Sequence, residues 1–498
     1  MKKNLSNPFD EYVKTLDEQD AERLKAFWKE FNAHCLLKEK EKKKLRLDYE
    51  TALLYYDKNG VPFTRALTLL DTKNLGGFYA RPALLWFPLD DAAKIYPLSM
   101  EHGRMSVFRL SVYLKTEIAP ELLQMALNFT IKRFPSFATT LKKGFFWHYL
   151  DTTKRRFYIE KENDVPCQPL KVSMSGSQSF RVLYYQNRIS VEFFHVLTDG
   201  MGGMMFLKSL LAEYLRLSGI EIDLDESVWD VNETPSAEEF ENAFSKVERS
   251  ETASGFVNKT ATQMNGRLSK LKPCRILHFK MDVEQLKKVA KIYDTTVTIY
   301  LLSLMFLSGT SAMDNLQGDT SIQVPINMRK FYPSKTARNF SMYCGIRIPI
   351  EKIGDRRELI AEIQTQIQEK LSKESMTAMV TATEKLVGMM RYIPLIIKQP
   401  VAHTVYGFLG DKTFTNTLSN LGVVRLPKEM AEQVESMDFV LGTAITNRSA
   451  CSLVTVNNTA NFSIAKCTID PSFEEKMYEL LTADGIEVNV EGSDFYES

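Results

Sequence analysis

The 498-residue chain is short of the features that usually give a function away. Its six cysteines, Cys35, Cys167, Cys274, Cys344, Cys451 and Cys467, are scattered and form no CxxC pair. Zinc sites and disulfide frameworks need thiols at short, regular spacing, so reduced cysteines and no metal site are expected. Net charge is nearly absent too: 63 Lys and Arg stand against 62 Asp and Glu, a formal +1. That balance argues against nucleic acid or a membrane surface as the first partner to consider. Long apolar runs are missing, since IYLLSLMFLSG, beginning at Ile299, falls far below the roughly 20 residues that span a bilayer. The opening MKKNLSNPFDEYVKTLDEQD turns polar and acidic where a secretory signal turns apolar, so a cytoplasmic protein is expected. Nor is there a GxSxG nucleophile elbow, a short repeat or a low-complexity tract.

What is present is an ordinary globular composition, 44% hydrophobic and 25% charged, on a chain too long for one core. Tyr12, Leu16, Leu24, Phe27, Trp28 and Phe31 recur at three-to-four spacing, which predicts an amphipathic helix over residues 10–33. KEKEKKKLRLDYE then reads as a solvated helical face, with a basic docking patch as the alternative. Alternation starts at VFRLSVYL, a helix follows in PELLQMALNFTIKRF and ends before Pro135, and FFWHYL and RFYIE give further strand. SFRVLYYQ and ISVEFF predict a hairpin around Asn187. The acidic, serine-rich stretch from Glu221 to about Gln263 suits a linker or long crossover. Beyond it, strand signals at RILHFKMD, TSIQVPIN, GIRIPI, TLSNLGVV, DFVLGT, CSLVTVNN and FSIAKCTID alternate with helices, including a buried one through TVTIYLLSLMFLS. The expected division is an N-terminal helical extension over 1–84, a first lobe over 85–225, a linker over 226–270 and a second lobe over 271–498.

One stretch carries chemistry. VEFFHVLTDGMGG, residues 191–203, ends an apolar strand in His195, places Asp199 and Gly200 four and five residues on, and opens into a helix with an apolar face. Strand ends are where loops build sites. An imidazole is mostly neutral at physiological pH and takes a proton from a hydroxyl, amine or thiol attacking a carbonyl. Asp199 either orients that ring or turns away to a buried cation; a paired carboxylate locks the loop, which favours the structural role. The bland alternative is a core histidine beside a turn aspartate.

FHVLTDG resembles the HxxxDG signature of the chloramphenicol acetyltransferase-like superfamily, which includes plant acyltransferases, the condensation domains of peptide synthetases and bacterial alcohol acetyltransferase-like proteins. DDAAKIYPLS, ALNFTIKRFPSF and FFWHYL resemble the opening of the last group, and the resemblance runs from about residue 85 to the end. VPINMRKFYPSKTARNF is similar to the superfamily's arginine-bearing strand and loop, and TLSNLG and DFVLG fall where plant members carry Ser-Trp and Asp-Phe-Gly-Trp-Gly. The implied fold is α/β (α+β): two pseudo-dimeric lobes, each a mixed β-sheet with packed helices, preceded by the helical extension. The resemblance implies His195 as catalytic base, Asp199 as structural aspartate and Arg329 as its partner, with Arg133 as the rival partner and Asn339 as a turn residue. Asp438, Phe439 and Gly442 match part of the plant element, with Val440 and Leu441 in place of its Gly and Trp. Phe194 stands where peptide-forming condensation domains carry a first histidine, which lowers that reading.

Acyl transfer concentrates negative charge on a carbonyl oxygen, so Ser419 and Asn420 are candidates to stabilise it; the alternative is that both satisfy a turn. Beside Arg329, the loop residues Lys330, Lys335 and Arg338 are candidates for the phosphates of coenzyme A. GMGGMM and GMMRYIPLII (388–397) either line an apolar channel or belong to the core. His148 and His403 read as packing or surface residues. The expected activity is an O- or N-acyltransferase with acyl-CoA or an acyl-carrier protein as donor, an alcohol or amine as acceptor, and no tightly bound cofactor. A non-catalytic or carrier-dependent condensation-like module and a thioester hydrolase are the alternatives.

Overall fold

The computed structural model describes residues 7–80, 84–94, 96–98, 105–170, 179–253, 259–398, 411–442 and 447–496. Its first strands are β1 (Trp86–Pro88), β2 (Val107–Leu114), β3 (Thr139–Lys143), β4 (His148–Thr152), β5 (Ile159–Lys161), β6 (Phe180–Tyr185) and β7 (Arg188–Phe194). The others are β8 (Arg275–Asp282), β9 (Asp319–Asn327), β10 (Ser341–Pro349), β11 (Asn416–Val423), β12 (Val434–Leu441), β13 (Ser449–Val456), β14 (Thr459–Lys466) and β15 (Val488–Gly492). The strand signals read from the sequence fold as strands, except that Phe145, Phe146 and Trp147 of FFWHYL form the turn before β4 and only Ile159 and Glu160 of RFYIE lie in β5. Gln186 and Asn187 close the β6–β7 hairpin, and Asn457 and Asn458, both at positive φ, turn β13 into β14. Asparagine tolerates that left-handed backbone, which matches the twist of a tight hairpin.

Two large mixed sheets result. A five-stranded sheet has the order β12-β2-β7-β6-β5, antiparallel except for the β5–β6 pair. A seven-stranded sheet has the order β10-β9-β11-β13-β14-β8-β15, with β11 parallel to both neighbours. Strands β13 and β14, in the middle of this sheet, are buried along nearly their whole length, their polar residues included. Helix Gly200–Leu217 packs on the first sheet, and helix Val297–Ser311, apolar all round, lies inside the second lobe. A small sheet β1-β4-β3 completes the first lobe.

One strand crosses between the lobes: β12, from the C-terminal part of the chain, pairs along β2 in the first sheet. It also packs back on the second sheet, where Ser452 Oγ donates to the Phe439 carbonyl and Asn461 Nδ2 to that of Met437, at 3.0 Å in the latter case. The helices before residue 80 share the first lobe's core rather than standing apart. Tyr49 meets Phe129 edge-on at 6.1 Å, buried Asp48 accepts from Asn128 and Arg156, and Tyr56 donates to the Leu217 carbonyl at 2.7 Å. The single helix expected over 10–33 is two, Pro8–Val13 and Glu18–His34, because Asp17 caps a new start by accepting from the Asp20 N–H. KEKEKKKLRLDYE lies mainly in helix Glu39–Lys58, with its lysines outward and Leu45 and Tyr49 in the core.

The acidic linker is also partly buried. Phe244 packs edge-on against Phe340, and Glu239 joins the two lobes by accepting from Arg133 (2.8 Å) while its carbonyl takes the Ala337 N–H (2.7 Å). No single helix among the described residues is long and apolar enough to cross a membrane; the one qualifying pair is bent by 78° and includes the buried helix Val297–Ser311.

Candidate active site

His195 follows β7 at the seam between the two sheets. Its backbone N–H donates to the Ser106 carbonyl at 2.8 Å, which continues the pairing of β7 with β2 by one residue. The chain then turns, and Asp199 caps helix Gly200–Leu217 by accepting from the Gly202 N–H at 2.9 Å. Gly202 has to be glycine: a Cβ there would collide with the Ala337 carbonyl oxygen of the facing loop. Gly442, at the end of β12, meets the Val107 carbonyl in the same way, which gives the terminal glycine of DFVLG a packing reason.

Asp199 does not reach the imidazole. Its second oxygen accepts from Arg329 Nη1 at 2.8 Å and from the Phe340 N–H at 2.7 Å. Both ionic side chains are nearly enclosed, and Arg329 also donates to the Thr336 and Arg338 carbonyls, at 2.8 Å each. One ion pair therefore fixes the first lobe's helix start to the second lobe's loop 328–340. The rival Arg133 lies elsewhere, held by Glu239 and stacked over Trp229.

His195 is half-buried. Asn339 is its side-chain hydrogen-bond partner, with Oδ1 3.0 Å from Nδ1. Asn339 Nδ2 in turn points to Asp90 Oδ2 at 3.4 Å. A carboxylate only accepts, so the amide turns its NH2 to Asp90 and its oxygen to the histidine; Nδ1 then carries the proton and Nε2 keeps its lone pair. Tyr96 stacks on the imidazole at 4.7 Å and Phe108 meets it edge-on at 5.2 Å. Burial pushes the imidazole below its ordinary value, against the opposing pull of Asp199, its own backbone and Asn339. Asp90 is fully enclosed, and burial pushes its carboxyl up to about 6, opposed by Arg338, the Ala93 N–H and Asn339.

The two oxyanion candidates separate. Neighbouring strand residues face opposite sides of a sheet. Ser419 pairs with Ser452, whose hydroxyl reaches β12, so Ser419 faces the seam. Leu421, two residues on, confirms that face: it lies 2.8 Å from where a Cβ on Gly200 would be. Asn420 faces the other way. Its Nδ2 donates to Thr298 on the buried-helix side at 2.9 Å, and its Oδ1 accepts the Gly422 N–H at 2.7 Å. Asn420 is thus a turn-holding residue, and only Ser419 stays a candidate. Strand β11 pairs with β9 at Asn416 and Thr417 alone, so the two strands part just where Ser419 faces the seam.

Of the basic loop, Lys330 and Lys335 are exposed. Arg338 is not free to meet a phosphate. It is 2% exposed, donates to the Pro88 carbonyl at 2.6 Å and lies 3.6 Å from Asp90, so it belongs to the support of Asn339. In GMGGMM, Met204 is core, whereas Met389, Tyr392, Ile396 and Ile397 of the second methionine stretch face solvent, so the stretch as a whole does not line an interior channel. His148 is a buried strand residue whose imidazole is pushed down to about 4 by burial. His403 lies outside the described residues. Sequence reasoning missed Asp90 and Tyr96; both lie in DDAAKIYPLS, quoted for its resemblance but given no task.

No family model matches the chain, and no curated protein matches it. Solved structures do. TRI101 of F. sporotrichioides, complexed with coenzyme A and T-2, superimposes with a TM-score of 0.55 at 12% identity, over 82% of this chain and 100% of its own. Polyketide synthase associated protein 5 from Mycobacterium tuberculosis gives 0.54 at 10% identity, over 79% and 97%. The first condensation domain of the CDA synthetase gives 0.52 at 10%, over 81% and 95%. The shared property is the fold alone: the chain superimposes on each of these structures over about four fifths of its length.

Proposed function

We propose that the chain is an acyltransferase that moves an acyl group from a thioester, acyl-CoA in the first instance, to a hydroxyl or amine acceptor. The observation that carries this is the arrangement of His195: a half-buried histidine at the seam of two sheets, its Nδ1 engaged by Asn339 and its basicity lowered by burial. Such a ring is neutral at physiological pH and presents Nε2 as a base.

The step is direct. Nε2 takes the acceptor's proton as its oxygen or nitrogen attacks the thioester carbonyl, giving a tetrahedral oxyanion. Collapse expels the thiolate, and the imidazolium returns the proton to sulfur. Ser419, facing the seam, is the donor assigned to the oxyanion. Asp199 and Arg329 hold the loop that presents the base, and take no proton. Lys330 and Lys335, exposed on loop 328–340, are assigned to the donor's phosphates, whether on coenzyme A or on a carrier protein's prosthetic arm. The described cysteines are all buried, which disfavours a route through an acyl-enzyme on sulfur.

Release of free thiol from a series of acyl-CoAs, measured with and without a panel of alcohols and amines, tests the proposal. Acceptor-dependent release with formation of ester or amide is expected. Release at the same rate without any acceptor would make the protein a hydrolase, and no release with any donor would reject acyl-CoA chemistry.

A further inference from the structure

Two segments far apart in sequence meet at an apolar prominence on the protein's surface. The turn between β3 and β4 reads Gly144-Phe145-Phe146-Trp147, preceded by Lys142 and Lys143 at the end of β3 and closed by a Gly144 N–H to Trp147 carbonyl bond of 3.0 Å. Against it lies the stretch that follows helix Lys373–Met389. The Leu395 N–H donates to the Phe145 carbonyl at 2.9 Å, and Leu395 is buried with Trp147 and Met390 packed on it. Lys398 covers the Trp147 ring at 3.3 Å and donates to the Met390 carbonyl at 3.0 Å. This is a built base, not a fraying end.

Outward from that base the side chains are apolar and uncovered. Phe145, Tyr392 and Ile396 are 72, 76 and 82% exposed, with Phe146, Met389 and Ile397 beside them. Contiguous apolar surface of this kind marks an interaction site in a soluble fold. Its chemistry selects among partners. Lys143, Lys385 and Arg391 are exposed around the apolar side chains, and none pairs with a carboxylate among the described residues. Aromatic and branched aliphatic tips ringed by lysine and arginine match a lipid interface, where rings settle at the headgroup boundary and cations meet phosphates.

We infer that this prominence docks the protein on an anionic lipid surface, with the 144–147 turn and the 389–397 stretch entering the interface together. Lys94 also lies over Trp147, at 5.9 Å, and Tyr96, two residues on, stacks on His195. The docking face is therefore joined to the wall of the candidate active site by one short segment.

Flotation of the full chain with phosphatidylcholine vesicles, with and without phosphatidylglycerol, tests this without any substrate. Binding is expected with the anionic vesicles, with a decline as salt rises. Phe145→Ser with Phe146→Ser, and separately Ile396→Ser with Ile397→Ser, should each weaken binding at least tenfold. Arg391→Glu should reduce the preference for anionic vesicles. All five positions are exposed, and circular dichroism of each variant checks that the fold is kept. Failure of the folded wild type to float with either vesicle would overturn the inference. So would binding that neither double variant changes, or lipid-free dimerisation that both abolish, which would assign the face to a second copy of the chain.

Discussion

His195 and His278 invite comparison, because they share most of what is usually asked of a catalytic histidine. Each is half-buried, each lies on or just beyond a sheet strand, and burial pushes each below its ordinary value. Their hydrogen bonds differ. In His278, Nδ1 meets Ser463 Oγ at 2.8 Å and Nε2 lies 4.0 Å from Asp438, so both nitrogens have protein neighbours. In His195 the side-chain partner is an amide on Nδ1 alone. A lowered basicity thus identifies neither ring as a base; a nitrogen left for a reactant does.

The comparison breaks if both rings respond alike to removal. His195→Ala should cut acyl transfer about 10²- to 10⁴-fold, the usual reach of a positioned general base, while His278→Asn leaves kcat within about threefold. Steady-state thiol release with the best acceptor measures both. Next in size is the ion pair that anchors the loop: Asp199→Ala leaves Arg329 buried without its carboxylate and should cost about 3–5 kcal/mol in urea unfolding. Asn339→Ala should lower kcat about 100-fold while KM changes little, because it frees Nδ1 and lets the tautomer drift. Gly202→Ala forces a methyl group against the Ala337 carbonyl and should cost about 1–3 kcal/mol of stability.

A pH profile sharpens the contrast at smaller cost. Protonation of His195 removes the base, so the acid limb of kcat/KM should fall below the ordinary 6.5, in line with the downward shift by burial. The stability consequence has the same sign. The unfolded chain takes up the proton first, so the contribution of a neutral His195 is full above 6.5 and is lost as pH falls toward the lower folded value. Asp90 has the opposite sign, since its carboxyl is raised: between about 6 and 3.8 the folded state holds the extra proton.

Much of this was legible in local pattern. The β6–β7 hairpin, the buried helix from Val297 and the strand that ends at His195 all follow from short-range periodicity and turn residues. The Asp199–Arg329 pair was named from motif resemblance and is present at 2.8 Å. What escaped is non-local. No periodicity reveals that β12 leaves its own lobe to join β2, because pairing depends on the partner's edge and not on the strand. Alternation could have separated Ser419 from Asn420, but only with the sheet's faces known. Arg338 read as an exposed basic loop residue because charge runs are usually solvated, and Asp90 far upstream is what makes its burial tolerable. Asp90 and Tyr96 become meaningful only once the fold sets them beside Asn339 and His195.

The central claim is that His195 is neutral, with its proton on Nδ1 and Nε2 available. Nitrogen chemical shifts of the histidine side chains, assigned by comparison with His195→Ala and followed from pH 5 to 8, read that state directly. An unprotonated Nε2 at neutral pH and a midpoint below 6.5 are expected. A proton on Nε2 at neutral pH, or a midpoint above 6.5, would contradict it.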